Sequence, residues 1–218
     1  MNKIDEIIRG MQTAKLPSDY WITSEIEFSE LEASRRIIQR NSQSVYEHTM
    51  LVIDLLTVKN SITLLAGLFH DLGKNCNTSM GGPRFPNHAS KSADITRIHL
   101  TEWGATLYII DRVVRIVSTH MYDIVDIIQE KTIRKFIADV GLDNIENWFT
   151  VRIADSASYS QHGQYKRHII NPFYKKVKEH IKGLLPKDYA LQYLHKQNTI
   201  IGGKDCKDDD APLSMEGG

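Results

Sequence analysis

Ala66-Gly67-Leu68-Phe69-His70-Asp71-Leu72-Gly73-Lys74 is the stretch from which the rest of this chain is best read. An apolar helical run is followed at once by an imidazole and a carboxylate. Adjacent ligands of these two types can reach one divalent cation, and the carboxylate can bridge to a second. The stretch is therefore a helix end carrying a metal-site candidate.

Working outward, apolar residues recur at helical spacing over most of the 218 residues, and alternation of strand type is scarce. The expected fold is all-α, a helical bundle with a metal site between helices. Helices are expected over Glu25 to Arg40, Ser44 to Thr57, Ser61 to Phe69, Ala89 to His99 and Leu107 to Ser118. Four more are expected over Thr132 to Asp139, Asp143 to Ser156, Asn171 to Lys182 and Asp188 to Lys196. Ser44 followed by Glu47 reads as a capping box, Ser61 follows a polar break, and Asp143 is placed to open its helix. Asn75 to Asn87, with two adjacent glycines and two prolines, reads as a lid-like loop leaving the His70-Asp71 helix.

Lysine plus arginine equals aspartate plus glutamate at 27 each, so no global field steers the chain to nucleic acid or an anionic membrane. The segment from Lys204 to Gly218 carries about −3 and leaves the remainder near +3. Two cysteines, Cys76 and Cys206, form no disulfide framework, which favours a reducing compartment. The first residues lack the apolar run of a secretion signal, and no apolar stretch approaches the roughly 18 residues of a membrane span. The expectation is a soluble cytoplasmic protein, with no membrane association and no protein partner evident; a homo-oligomer is compatible with the sequence.

Two further residues can join the pair. His48 lies beside the apolar stripe of Leu51, Val52 and Leu55, where an unpaired imidazole needs a partner. Asp155 sits near Trp148, Phe149 and Val151, and a carboxylate close to a core-facing surface is costly unless paired or bound to a cation. With His70 and Asp71, these residues would give two nitrogens and two carboxylates to one ion.

The order His48, His70-Asp71, Asp155 resembles the H…HD…D pattern of the HD superfamily of metal-dependent phosphohydrolases. Within it the chain looks most like the HD domain that follows the catalytic head of many bacterial tRNA nucleotidyltransferases, the CCA-adding enzymes. The similar segments are Tyr46 to Thr49, His70 to Lys74, Phe85 to Ala93, His120 to Asp123, and Thr132 to Asp155. No nucleotidyltransferase head is visible, neither its Gly-Ser loop nor its paired aspartates, so CCA addition is expected to be absent. On this reading residues 1–40 form an N-terminal helical extension, 41–197 the HD domain and 198–218 a disordered acidic tail.

The resemblance implies hydrolysis of a phosphate ester of a nucleotide, a 2′,3′-cyclic nucleotide or an RNA end. It implies one or two divalent ions (Mn, Ni, Co, Mg or Fe) and a metal-activated water. His48, His70, Asp71 and Asp155 would be ligands. In binuclear members two more histidines fall between HD and the last aspartate, and His88 and His120 occupy that interval. They would bind a second ion bridged by Asp71, contact phosphate, or simply pack. Asp71, Lys74 and Arg152 are the expected catalytic residues. Phosphate would meet Lys74, Arg152, Arg84 and Lys91; Arg152 serves equally as a salt-bridge partner that orients Asp155. Glu47 fits a cap or a metal contact, and His99 is structural. The basic run Gln164 to His168 is an exposed helical segment or a contact for nucleic-acid backbone. Two other functions fit the same ligand order: a di-iron oxygenase, and a non-catalytic module binding RNA or a nucleotide.

Overall fold

A computed structural model describes residues 2–39, 41–76, 85–124, 128–159 and 163–184, with side chains described over 169–183 in the last segment. The described residues form ten α-helices and three short 3-10 turns, and one isolated bridge pairs Ile38 with Ser44. The fold is all-α, as the periodicity indicates.

The organising element is α5, Ser61–Phe69. All its residues from Ile62 to Phe69 are buried, so it is apolar on every side and must be surrounded. Around it lie α4 (Val45–Leu55), α7 (Leu107–Thr119), α9 (Ile145–Ser158), α6 (His88–Glu102) and α1 (Lys3–Thr13). α4 begins with the expected capping box: Ser44 Oγ accepts from the Glu47 N–H at 3.1 Å, and Glu47 Oε2 accepts from the Ser44 N–H at 2.8 Å. The cap of α5 is Asn60 rather than Ser61, its Oδ1 accepting from the Thr63 N–H at 3.0 Å. α9 likewise starts one residue beyond the 3-10 turn Leu142–Asn144 that contains Asp143.

Two regions depart from the sequence reading. Within the expected N-terminal helical extension, the chain forms α1 and α2 (Pro17–Thr23), which periodicity alone does not delimit; α1 buries Ile4, Ile7 and Met11 and is capped by Asn2. The single helix expected over Glu25 to Arg40 is instead α3 (Ser29–Ala33), a 3-10 turn (Ser34–Arg36) and extended chain. Ser34 Oγ donates to the Leu31 carbonyl, so a side chain competes with the helical ladder there. Beyond it the Ile38 to Ser44 bridge takes over, with Gln39 N–H donating to the Gln43 carbonyl at 2.9 Å.

α8 (Glu130–Val140) and α10 (Gly163–Leu184) close the far side over α9. Ile170, Phe173, Val177 and Ile181 form the buried stripe of α10. α10 starts upstream of the expected Asn171 and runs through Pro172. The helix expected over Asp188 to Lys196 and the acidic tail lie outside the described residues. Among the described residues no helix is long and apolar enough to cross a membrane.

Gly73 locks the chain after Asp71 onto α6. A Cβ there would stand 2.2 Å from the His88 carbonyl oxygen and 2.5 Å from the Ser92 nitrogen. The Gly73 N–H donates to Ser92 Oγ at 2.8 Å. Only glycine allows so close a backbone approach, and it brings the segment after Asp71 against the start of α6, where His88 lies.

Candidate metal centre

Five helices contribute to one buried polar cluster. His48 projects from α4, His70 caps the C-terminus of α5, and Asp71 follows it. His88 opens α6, His120 caps the C-terminus of α7, and Asp155 lies in α9. All six are buried, the most exposed only 8 % accessible.

Hydrogen bonding fixes how each imidazole is presented. His70, His88 and His120 direct Nδ1 to the carbonyl three residues earlier, Gly67 at 2.7 Å, Phe85 at 2.8 Å and Val117 at 2.7 Å. A carbonyl only accepts, so each Nδ1 carries a proton and each Nε2 is the atom turned toward the centre, free to ligate when unprotonated. His48 Nδ1 meets Ser158 Oγ at 2.9 Å, and that hydroxyl donates its proton to the Asp155 carbonyl at 2.6 Å. Ser158 is thus an acceptor toward His48, which takes the same tautomer.

The four Nε2 atoms gather in two pairs on opposite oxygens of Asp71. His48 and His70 Nε2 are 3.1 Å apart and lie 3.3 and 3.4 Å from Asp71 Oδ2. Asp155 Oδ1 joins them at 3.3 and 4.0 Å. His88 and His120 Nε2 are 3.2 Å apart and lie 3.3 and 3.5 Å from Asp71 Oδ1. Two donors each about 2.1 Å from a common ion and separated by roughly 90–110° stand about 3.0–3.4 Å from one another, so most of these separations match the edges of a coordination shell. Facing lone pairs at 3.1 Å repel unless a cation or a proton lies between them. Both groups, His48-His70-Asp71 and Asp71-His88-His120, can hold a metal ion.

The fields around the carboxylates keep them ionised. Burial works to raise Asp71, but His70, Lys74, His120 and His48 hold it well below the ordinary carboxylate range. Asp155 is also lowered, with burial outweighed by His48, His70 and Arg152. Burial lowers the His48 imidazole, yet Asp155 and Asp71 override it and push its pKa up to about 9. Burial dominates at His120 and lowers it.

Two cations attend the centre. Lys74 Nζ donates to Asp71 Oδ2 at 2.5 Å and to Gln39 Oε1 at 2.6 Å. Arg152 Nη1 donates to Asp155 Oδ2 at 3.1 Å, the orienting contact that the three-residue spacing allows. Lys91 Nζ donates to the Cys76 carbonyl at 3.2 Å. Arg84 lies outside the described residues, as do the side chains of the basic run Gln164 to His168. Glu47 is engaged in its cap, and His99 pairs with Glu30 at 2.8 Å among Phe28, Phe69 and Trp103.

Three residues at the centre have no counterpart in the sequence reading: Ser158, Tyr159 and Gln39. Ser158, one turn beyond Asp155, was findable from its i+3 spacing. The Tyr159 ring lies 4.9 Å from that of His48, and its hydroxyl donates to Gln39 Oε1 at 3.1 Å. Burial, then the charges of Asp71 and Asp155, raise the Tyr159 pKa, so the phenol stays protonated. Gln39 arrives by a turn remote from the motif, and nothing in its local sequence marks it.

A scan against models of known protein families finds no match, and neither does a search of curated proteins. The reading of this centre therefore rests on its residues and their geometry.

Proposed function

We propose that this chain is a divalent-metal-dependent phosphohydrolase of the HD type, acting on a phosphate ester of a nucleotide, a 2′,3′-cyclic nucleotide or an RNA end. One observation carries the proposal: four imidazoles with Nε2 turned inward, arranged as two pairs on opposite oxygens of Asp71. His48, His70, Asp71 and Asp155 would hold one ion, and Asp71, His88 and His120 a second. Mixed nitrogen and oxygen donors suit Mn, Fe, Co or Ni, while Mg favours sites richer in oxygen. Ions held there supply Lewis acidity toward a phosphoryl oxygen and lower the pKa of water toward neutrality.

The chain's own residues do the remaining work. The carbonyls of Gly67, Phe85 and Val117 hold three rings in the ligating tautomer, and Ser158 does so for His48. Arg152 ties down Asp155 Oδ2 and leaves Oδ1 facing His48 and His70. Lys74 and Arg152 place two positive charges beside the carboxylates, which supports binding of an anionic group and stabilisation of charge developing on it. Cytoplasmic residence belongs to the same reading, with Cys76 free and exposed.

The nitrogen-rich pair of sites also favours a second reading, a di-iron centre that activates dioxygen. The experiment that separates them is phosphate release by metal-stripped protein resupplied with Mn, Ni, Co, Fe or Mg. Substrates are 2′-, 3′- and 5′-nucleotides, 2′,3′-cyclic nucleotides and bis-p-nitrophenyl phosphate. Metal-dependent turnover that vanishes in His70→Ala and Asp71→Ala is expected. Clean metal binding without turnover on any of these esters would overturn the hydrolase, and oxygen consumption by the iron-loaded protein would then decide for the oxygenase.

A further inference from the structure

The turn between the 3-10 segment Ser34–Arg36 and α4 carries Gln39 to the edge of the centre. Its backbone is tied on both sides, the N–H donating to the Gln43 carbonyl at 2.9 Å and the carbonyl accepting from the Ser42 N–H at 3.0 Å. Ser42 holds a φ of 64° to make this turn. The Gln39 residue is only 7 % exposed, although glutamine is ordinarily a surface residue.

Its amide cannot be flipped. Oε1 accepts from the Lys74 ammonium at 2.6 Å and from the Tyr159 hydroxyl at 3.1 Å. Reversing the amide would set an NH2 against an ammonium, donor against donor. The orientation leaves Nε2 buried and without an acceptor. A buried NH2 with no acceptor is costly, so it points to a ligand that brings one.

A second orphan donor lies on the other carboxylate. Arg152 commits Nη1 to Asp155 Oδ2, and its Nε is buried without a partner. Gln39 reaches Asp71 through Lys74, and Arg152 touches Asp155 directly. Both orphans are N–H donors, so a group seated beside the two carboxylates has to offer oxygen acceptors.

We propose that Gln39 is a substrate-binding residue whose Nε2 donates to a phosphoryl oxygen, with Arg152 Nε as its counterpart on the Asp155 side. This rests on the phosphate-ester reading above and assigns it a recognition group of its own. The Gln39 side chain then forms part of the substrate wall. Oε1 keeps Lys74 and Tyr159 in place, and Nε2 reads the anion.

The test is binding of inorganic phosphate to the full-length protein loaded with Zn, a diamagnetic ion that accepts histidine and carboxylate donors, followed by calorimetry and by the Gln39 side-chain amide resonance. Gln39→Glu retains the acceptor for Lys74 and Tyr159 but replaces the donor; Gln39→Met removes both without adding charge. The expected result is phosphate affinity lowered about ten- to a hundredfold in both variants, the usual weight of a hydrogen bond to a charged group. Metal affinity should be retained. In the wild type the amide signal, assigned by its absence from both variants, should move on phosphate addition. An amide unmoved at phosphate saturation, a wild type that binds no phosphate, or variant affinities within twofold of wild type would each overturn the proposal. If ester hydrolysis proceeds while Gln39 is indifferent to phosphate, this inference falls and the hydrolase stands. Phosphate held through Gln39 by a protein that hydrolyses nothing is the reverse case. Should either variant fail to fold, the wild-type amide signal decides alone.

Discussion

The two sides of Asp71 are built differently. On the Oδ2 side, His48 and Asp155 project from within α4 and α9, and His70 ends the enclosed helix α5. Four donors converge there, with Ser158 and Arg152 bracing two of them. On the Oδ1 side, His88 opens α6 and His120 caps α7, giving three donors that sit at helix termini. A ligand set rooted inside packed helices is pre-organised, whereas one at helix ends depends on neighbouring turns. The Oδ2 side is therefore the better braced half, and it should bind an ion more tightly and load first.

The largest effect belongs to the residue both halves share. Asp71→Ala should abolish metal-dependent turnover by about three orders of magnitude or more and leave at most weak ion binding, because it removes the bridge from both pairs. Elemental analysis after gel filtration and phosphate-release kinetics read it together. Equal loss of ions from both halves supports the bridge; loss from one only would break the symmetry of the comparison.

Next come variants that strike a single half. His48→Ala should remove the tight ion, and His120→Ala only the weaker one. Ser158→Ala, which frees His48 Nδ1 without touching a ligand, should weaken the tight half about 10–100-fold and spare the other. Titration calorimetry in each variant would show whether the two dissociation constants move separately. A Ser158→Ala protein with unchanged affinity would mean that the His48 tautomer is set elsewhere.

Proton competition sharpens the contrast. His48 is pushed up to about 9, so an ion entering the Oδ2 half displaces a proton at any lower pH, and affinity there should climb from pH 6 to 9. His120 is lowered from the ordinary histidine value, so it adds no such competition over that range. Metal-free stability follows the opposite course. The His48 contribution is fully present below pH 6.5 and is lost as pH rises through about 9. Asp71 and Asp155, both lowered, contribute above the ordinary carboxylate pKa and lose it as pH falls through their depressed values. Thermal midpoints of stripped and loaded protein across pH 4–9 check the signs; a gap between them that shrinks from pH 6 to 9 would be contrary.

The smallest effect concerns packing. Gly73→Ala drives a Cβ into the His88 carbonyl and the Ser92 nitrogen, and should cost about 1–3 kcal/mol of stability. Ion binding should weaken in the Oδ1 half alone, since that half rides on the start of α6. Denaturant midpoints and the weaker dissociation constant measure both.

Much of this centre was legible in the sequence because its donors come in a recognisable order on helices with clear apolar stripes. His48 stands beside Leu51 and Val52, His70-Asp71 follows an unbroken apolar run, and Ser44 and Glu47 announce the start of α4. The spacing of Ile4, Ile7 and Met11 in α1 is equally regular, but the short amphipathic N-terminus lacks a motif that would single it out. The stretch from Glu25 to Arg40 reads as one helix on periodicity alone. Side-chain competition at Ser34 and the pairing of Ile38 with Ser44 are tertiary outcomes that periodicity does not encode. Gln39 was invisible for the same reason: its role comes from a turn that meets Lys74 and Tyr159 from far along the chain.

Asp71 should join two half-sites into one exchange-coupled pair of ions. Electron paramagnetic resonance of protein loaded with two equivalents of Mn(II) tests it most directly. The wild type should give an exchange-coupled multiline spectrum, and His120→Ala the six-line spectrum of a single isolated ion. Isolated six-line signals in the wild type at full loading, or a coupled spectrum that survives His120→Ala, would contradict it.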